Sequence, residues 1–388
     1  MWGKELTRAA AYTSLGYPPH GGLPDLRREV ASYLKRRRGF GVEPEDVLII
    51  SGTQQALALA ARGLLDEGAW VAIEEPGYFG AHWVFQAHGA ELVPVAVDRH
   101  GIDVEQLPAT RPALVYVTPA HQFPLGMALA QRRRAELLRY ARSHSTWILE
   151  DDYDGEVSFD APQLPPLYGA DGTDRVVHIG TLSKVLAPSI RLGYLIAPKA
   201  LRDDFVIAKL LADFGCPAYE QAALAGFLRS GRFARHLRRV VQSLRKRRDA
   251  LVEGLREHGR GHFAFDAPRM GMHMVVSLVA RSALDLGQLI REAAAVGVGL
   301  PSIGPCCLDP RNRPGALLLG ACIDKLERAT RAKAHALTYG GLHRLANRCL
   351  DHGDIDLHLF HHRCHRRGRH LLVGTRRQFH QPPREDLP

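Results

Sequence analysis

Four short polar segments of this 388-residue sequence carry the residue types that chemistry requires. Ser51-Gly-Thr-Gln-Gln55 opens a helical stretch. Free N–H groups and the positive dipole end at such a start favour a phosphate, although Ser and Thr also cap helices on structural grounds alone. Glu150-Asp-Asp-Tyr-Asp154 follows an apolar run, and strand alternation sends Asp151 and Asp152 to opposite faces. A carboxylate buried there needs a cationic partner, such as a protonated ring nitrogen; a plain turn or cap is the other reading. Gly180-Thr-Leu-Ser-Lys184 ends on one of eight lysines, against 43 arginines. Lys184, beside the hydroxyls of Thr181 and Ser183, suits a Schiff base if its amine becomes neutral, which burial near positive charge promotes. Arg191 supplies such a charge and a bidentate donor for phosphate. The fourth segment is Thr118-Pro-Ala-His-Gln-Phe-Pro-Leu-Gly126, with His121 and Gln122.

All four follow short β-branched runs. The runs are Val47–Ile50, Trp70–Ile73, Leu92–Val97, Leu114–Val117, Trp147–Leu149, Val176–Ile179 and Tyr194–Ala197. Amphipathic stretches such as 54–65 and 129–144 alternate with them, which predicts an α/β fold with a mostly parallel seven-stranded sheet. In such sheets ligands sit beyond the carboxyl ends of the strands. Upstream, Leu23, Leu26, Val30 and Leu34 mark a first helix. Beyond residue 200, helices over 203–214, 219–229 and 232–257 lead to a smaller α/β region with a strand in Gly271–Leu278. The expected division is a large domain over 1–205, interdomain helices and a small domain over 206–336, and a His/Arg-rich tail over 337–388.

Composition narrows the function class. A hydrophobic share of 46% and a charged share of 24% are ordinary for a globular protein. No apolar run is long enough for a membrane span and no leader pattern opens the chain, so a cytoplasmic location is the default expectation. Six scattered cysteines without a C-x-x-C pair argue against a disulfide framework or a regular zinc site. The formal charge of +10 comes largely from arginine-rich helices. In one of them Phe233, Leu237, Val240 and Leu244 share a face, as in a solvated helix over a core. The tail, with His358-Leu-Phe-His-His-Arg-Cys-His365, holds metal-ligand types, but a poorly ordered basic segment is the simpler reading and a shifted reading frame would look the same.

Five ordered motifs resemble a known family. They are Gly180–Tyr194, Ser51–Leu57, Glu74-Glu-Pro-Gly-Tyr78, His121-Gln-Phe-Pro and Glu150–Asp154. Together they resemble fold-type I pyridoxal-5'-phosphate (PLP) aminotransferases of class I/II. The closest likeness is to the aminotransferase-like domain of MocR-type regulators of the GntR superfamily, over about residues 12 to 320. The resemblance implies that Lys184 carries the cofactor as a Schiff base and shuttles a proton. Asp151 would pair with the pyridinium nitrogen, and Tyr153 would bind the phenolic oxygen with Gln122 or His121 assisting. Tyr78 would stack on the ring; Gly52, Thr53, Gln54, Thr181, Ser183 and Arg191 would line the phosphate site. Tyr17 resembles the tyrosine that reaches the phosphate from a partner subunit, which implies a homodimer with a shared site.

Three departures from the family pattern stand out. No winged helix precedes the Tyr17 motif, so the usual route to DNA is not expected of this chain alone. The stretch Ala316-Leu-Leu-Leu-Gly320 lacks the arginine that many aminotransferases use for the substrate carboxylate. Leu125 also replaces a small hydroxyl residue. The expected function is amino-group transfer between an amino acid and a 2-oxo acid. The alternative is a PLP-binding effector sensor of a MocR/GntR-type regulator, and a decarboxylase or lyase stays open on the same cofactor chemistry.

Overall fold

The computed structural model describes residues 2–320, except 15, 161, 171–173, 260, 280–284, 310 and 312–313. The expectations for the tail 337–388, the end of the small domain and Cys322, Cys349 and Cys364 therefore lie outside the described residues.

The central sheet is built from β1 (Val47–Ile50), β2 (Trp70–Glu75), β3 (Glu91–Asp98), β4 (Gly101–Ile102), β5 (Leu114–Val117), β6 (Trp147–Asp152), β7 (Val176–Thr181) and β8 (Gly193–Ile196). Their order is β1-β8-β7-β6-β5-β2-β3-β4. The pairs from β7 through β6, β5 and β2 to β3 are parallel, whereas β8 runs antiparallel to both β1 and β7. The seven expected strands are all present. The eighth, β4, is a two-residue hairpin return paired to the end of β3, too short to show a periodic pattern.

Alternation divides the strands between two faces. Val47 and Ile49 pack with α2 (Pro24–Arg38) and α7 (Ala218–Arg229), while Leu48 and Ile50 pack with α3 (Thr53–Leu64), α4 (Phe79–Ala87) and α6 (Arg202–Asp213). Ile148 and Val176 pack with α5 (Gln131–His144). Both faces are thus covered, as a parallel sheet requires. The helix marked by Leu26, Val30 and Leu34 is not the first: α1 (Trp2–Tyr12) precedes it and packs on α7. Among the described residues α1 buries Glu5 and Ala9, neither of them a large apolar side chain.

α8 (Arg232–His258) buries Phe233, Leu237 and Leu244 and turns most of its arginines outward. It leads to the antiparallel sheet β9 (Phe263–Ala264), β10 (His273–Leu278) and β11 (Ala316–Gly320), in the order β11-β10-β9. α9 (Leu286–Ala295) closes its core through Leu289 and Ala293, which pack with Leu317.

Candidate active site

β6 and β7 are longer than their apolar runs. β6 continues through Glu150, Asp151 and Asp152, and all three are buried in the strand itself rather than in a following loop. Each carboxylate has its own partner on its own face. Glu150 accepts from the Leu167 and Tyr168 amides at 2.7 and 3.1 Å and meets His178 Nδ1 at 2.9 Å. Asp152 pairs with Arg38 from α2 at 2.5 Å. Asp151, on the opposite face, accepts from the Tyr116 hydroxyl at 2.9 Å. The expected division of Asp151 and Asp152 between faces is what the sheet shows.

Asp151 Oδ1 is buried with no partner, and burial pushes the carboxyl up to about 7. Lys184 pulls in the other direction through its charge. Behind Asp151 lies Glu74, also fully buried and pushed up to about 7 by burial. Its Oε2 accepts from the Thr118 hydroxyl at 2.6 Å and the Thr118 amide at 3.2 Å. A cation placed against Asp151 Oδ1 would relieve both carboxyls at once.

The imidazole of His121 adjoins this floor. Its Nδ1 lies 2.9 Å from Asp154 Oδ2 and 3.0 Å from the Tyr153 hydroxyl, while Nε2 is buried and unpartnered. Gln122 reaches this floor only through Glu74, donating from its amide nitrogen to Glu74 Oε2 at 3.3 Å. Its amide nitrogen donates to the Pro76 and Phe123 carbonyls at 2.9 and 2.7 Å, and its oxygen accepts from the Leu125 amide at 2.9 Å. Of the two residues considered beside Tyr153, the geometry therefore favours His121; Gln122 builds the loop.

At the other end, Gly52 (φ +94°) turns the chain into α3, a backbone state that favours glycine. A Cβ there would strike the Arg191 guanidinium. Arg191 Nη2 donates to the Ser51 carbonyl at 2.7 Å, so the start of α3, with Thr53 and Gln54, faces a guanidinium. Gln54 donates to the Tyr78 hydroxyl at 2.9 Å, and Tyr78 meets the edge of Phe123 at 5.6 Å. The Ser183 hydroxyl donates to the Leu192 carbonyl at 3.0 Å and accepts from its amide at 3.2 Å. Thr181 accepts from the Ser183 amide at 3.3 Å. Both hydroxyls thus hold the turn that presents Lys184 and Arg191.

Lys184 does not meet the expectation of burial: its side chain is exposed, at the mouth beyond the end of β7. The turn after Thr181 carries it past the carboxyl edge of the sheet, between the buried Ser183 and Val185. Tyr17 is 87% exposed, with its ring 6.0 Å from that of Phe214.

Residue reasoning missed His273, Asp154, Tyr116 and Glu74. The His273 ring is 4.6 Å from His121 and stacks on Tyr153 at 6.2 Å, and burial pushes it down to about 4. It comes from β10, more than a hundred residues away in the chain, so no spacing could reveal it. Asp154 belongs to the Glu150–Asp154 motif, but its work on His121 appears only in three dimensions. His121, Asp154 and His273 place ligand atoms within 4.8 Å of one another. Hydrogen bonds already account for the trio, since Asp154 Oδ2 also accepts from the Met272 amide and His273 faces the Pro124 carbonyl.

The sequence and the fold have counterparts among known proteins. The family model for aminotransferase class I and II matches residues 2–308. The chain belongs to that family. Members of the family are PLP-dependent. It is 37% identical over 328 residues to the probable rhizopine catabolism regulatory protein MocR of Rhizobium meliloti, covering 83% of this chain and 66% of that protein. It is 27% identical to aromatic-amino-acid aminotransferase 1 of Thermococcus litoralis, over 76% of this chain and 72% of that one. Among solved structures, the α-aminoadipate aminotransferase LysN of Thermus thermophilus, complexed with N-(5'-phosphopyridoxyl)-L-leucine, superposes with a TM-score of 0.77. The identity is 28%, over 90% of this chain and 88% of that one. The chain spans about two thirds or less of the length of the regulators it matches. Both the aminotransferase and the MocR-type likeness expected from the motifs are present. No helix among the described residues is long and apolar enough to cross a membrane.

Proposed function

We propose that this chain binds PLP through Lys184 and transfers an amino group between an amino acid and a 2-oxo acid. The observation that carries the reading is the unpartnered, fully buried Asp151 Oδ1 at the floor of the site, with Lys184 acting on it from the mouth. An empty acceptor of this kind fits a protonated pyridine nitrogen, and the Gly52–Thr53–Arg191 cradle fits a phosphate. The bound cofactor supplies an electron sink for the substrate's Cα. Asp151 keeps the ring nitrogen protonated. Lys184 holds and moves the proton between Cα and the cofactor carbon. Tyr153 and His121 offer hydrogen bonds to the ring's phenolic oxygen, with Asp154 fixing the imidazole. Thr53, Gln54 and Arg191 hold the phosphate, Tyr78 covers the ring, and Thr181 and Ser183 set the turn beneath.

The open mouth suits a homodimer in which Tyr17 of each subunit reaches the partner's phosphate. The second reading, an effector sensor of a regulator, is supported by the MocR relative, which aligns over most of this chain. Leu318, half-buried in β11 and paired with Val275, also supplies no cation for a carboxylate. One titration separates the two. The protein is loaded with PLP, its visible absorbance is followed through a panel of amino acids, and 2-oxo acid is assayed. Transferase activity yields stoichiometric 2-oxo acid; a spectral change without it selects the sensor. Lys184→Ala abolishes the lysine-bound visible band under either reading, and its persistence refutes the cofactor assignment.

A further inference from the structure

Lys209 is completely buried, at 0% exposure, an unusual state for a lysine. It lies on α6, outside the site described above. Its Nζ donates to both oxygens of Asp213, at 2.7 and 2.6 Å, and stands 3.3 Å from Cys216 Sγ. Cys216 is also buried, with its sulfur 3.7 Å from the Ile49 carbonyl. An ion pair between Lys209 and Asp213 accounts for the burial of the amine. It does not call for a thiol in contact with the same nitrogen. Asp213 itself is exposed, so the pair lies one side chain below the surface, within reach of a small oxidant.

We propose that Lys209 and Cys216 are a site of oxidative modification, joined by dioxygen into a covalent N–O–S crosslink. The balance is Lys–NH3⁺ + Cys–SH + O2 → Lys–NH–O–S–Cys + H2O + H⁺. One N–H bond and the S–H bond are replaced by N–O and O–S bonds, and the O–O bond breaks. Nitrogen and sulfur each give up two electrons, and dioxygen takes all four. One oxygen atom stays in the bridge and the other leaves as water. The proton leaves through Asp213, which already accepts from Nζ and opens to solvent. A gap of 3.3 Å is largely filled by one bridging oxygen; a direct N–S bond would drag the buried amine further toward the sulfur.

The position ties this chemistry to the anion cradle. Asp213 accepts from Gln55 Nε2 at 2.7 Å, and Gln55 Oε1 accepts from the Ser51 amide at 2.9 Å. The Ser51 carbonyl in turn holds Arg191. Crosslinking removes the ammonium partner of Asp213 at the end of that chain. Its bearing on phosphate binding rests on the PLP reading, whereas the crosslink itself does not.

The test is mass spectrometry of the full chain after incubation in oxygen-saturated buffer or in dithiothreitol, followed by alkylation and trypsin. The oxidised sample should give peptide 203–229 uncleaved after Lys209, unalkylated at Cys216, and heavier by one oxygen less two hydrogens. Dithiothreitol should return ordinary cleavage and alkylation, and Cys216→Ser should never show the species. Normal cleavage after Lys209 in the oxygenated sample overturns the proposal, whether Cys216 is alkylated or oxidised alone. A peptide lighter by two hydrogens, with no added oxygen, overturns the oxygen bridge.

Discussion

Replacing Asp151 by Asn in the cofactor-free protein should change how stability depends on pH, in a direction that the structure dictates. The Asn carbonyl still accepts from the Tyr116 hydroxyl but carries no titrating proton. In the wild type, burial lifts the carboxyl from 3.8 to about 7. A carboxyl raised on folding favours the protonated folded state. Its contribution is intact below the unfolded value and is lost as pH rises toward the folded one. Over that interval each pH unit is worth about 1.4 kcal/mol. The rise from 3.8 to about 7 therefore costs roughly 4 kcal/mol between about pH 4 and pH 7. Removing the Asp151 charge also relieves Glu74, whose own rise is reinforced by it. Urea unfolding of both proteins across that range is the assay. Wild type should lose stability relative to Asp151→Asn with a slope approaching about 1.4 kcal/mol per pH unit, then level off above about pH 7. PLP should abolish most of the loss, because a ring cation compensates the ionised carboxylate. A constant difference between the two proteins across the range would refute the claim that Asp151 ionises against a buried, unpartnered environment.

Two structural predictions accompany it. Gly271 sits at φ +80°, and a Cβ there would enter the His121 ring; Gly271→Ala should cost about 1–3 kcal/mol in urea unfolding. The same variant should weaken PLP binding by moving His121, and unchanged values of both would contradict the packing. The Glu75 carboxylate accepts from the Leu308 amide at 2.9 and 3.0 Å and from the Asp309 amide at 3.4 Å, tying that turn to the edge of the site. Glu75→Gln should weaken these charge-assisted bonds by about 1–2 kcal/mol, read as faster hydrogen exchange at Leu308 and Asp309.

Much of the fold was legible because its signals are local. Seven β-branched runs alternate with helical spacing, and each became a strand within a residue or a few of its expected ends. The exceptions have physical causes. β6 runs on through polar residues because His178, Arg38 and Tyr116 meet its carboxylates from other elements, and β7 runs on through Gly180 and Thr181 because they pair with Tyr194 and Gly193 of β8. α1 went unread because the face it turns to α7 buries Glu5 and Ala9 rather than large apolar residues. Of the candidate site residues, Lys184, Asp151 and Arg191 were legible as polar groups at or beyond the carboxyl ends of apolar runs, and Tyr153 through the family resemblance. His273 and the distinction between His121 and Gln122 were not, since both depend on which polar atoms the folded chain leaves unpaired.

By itself, then, the sequence determined the strand and helix order, the carboxyl edge on which reactive residues gather, and the opposite faces of Asp151 and Asp152. These follow from backbone periodicity, which each residue shares with its neighbours in the chain. Tertiary structure alone decided that Asp151 keeps a free oxygen, that His121 rather than Gln122 meets the Tyr153 hydroxyl, and that Lys209 is buried against Cys216. Burial and pairing are properties of side chains brought together from distant segments, and the charge state of a carboxyl or an amine is set by that company.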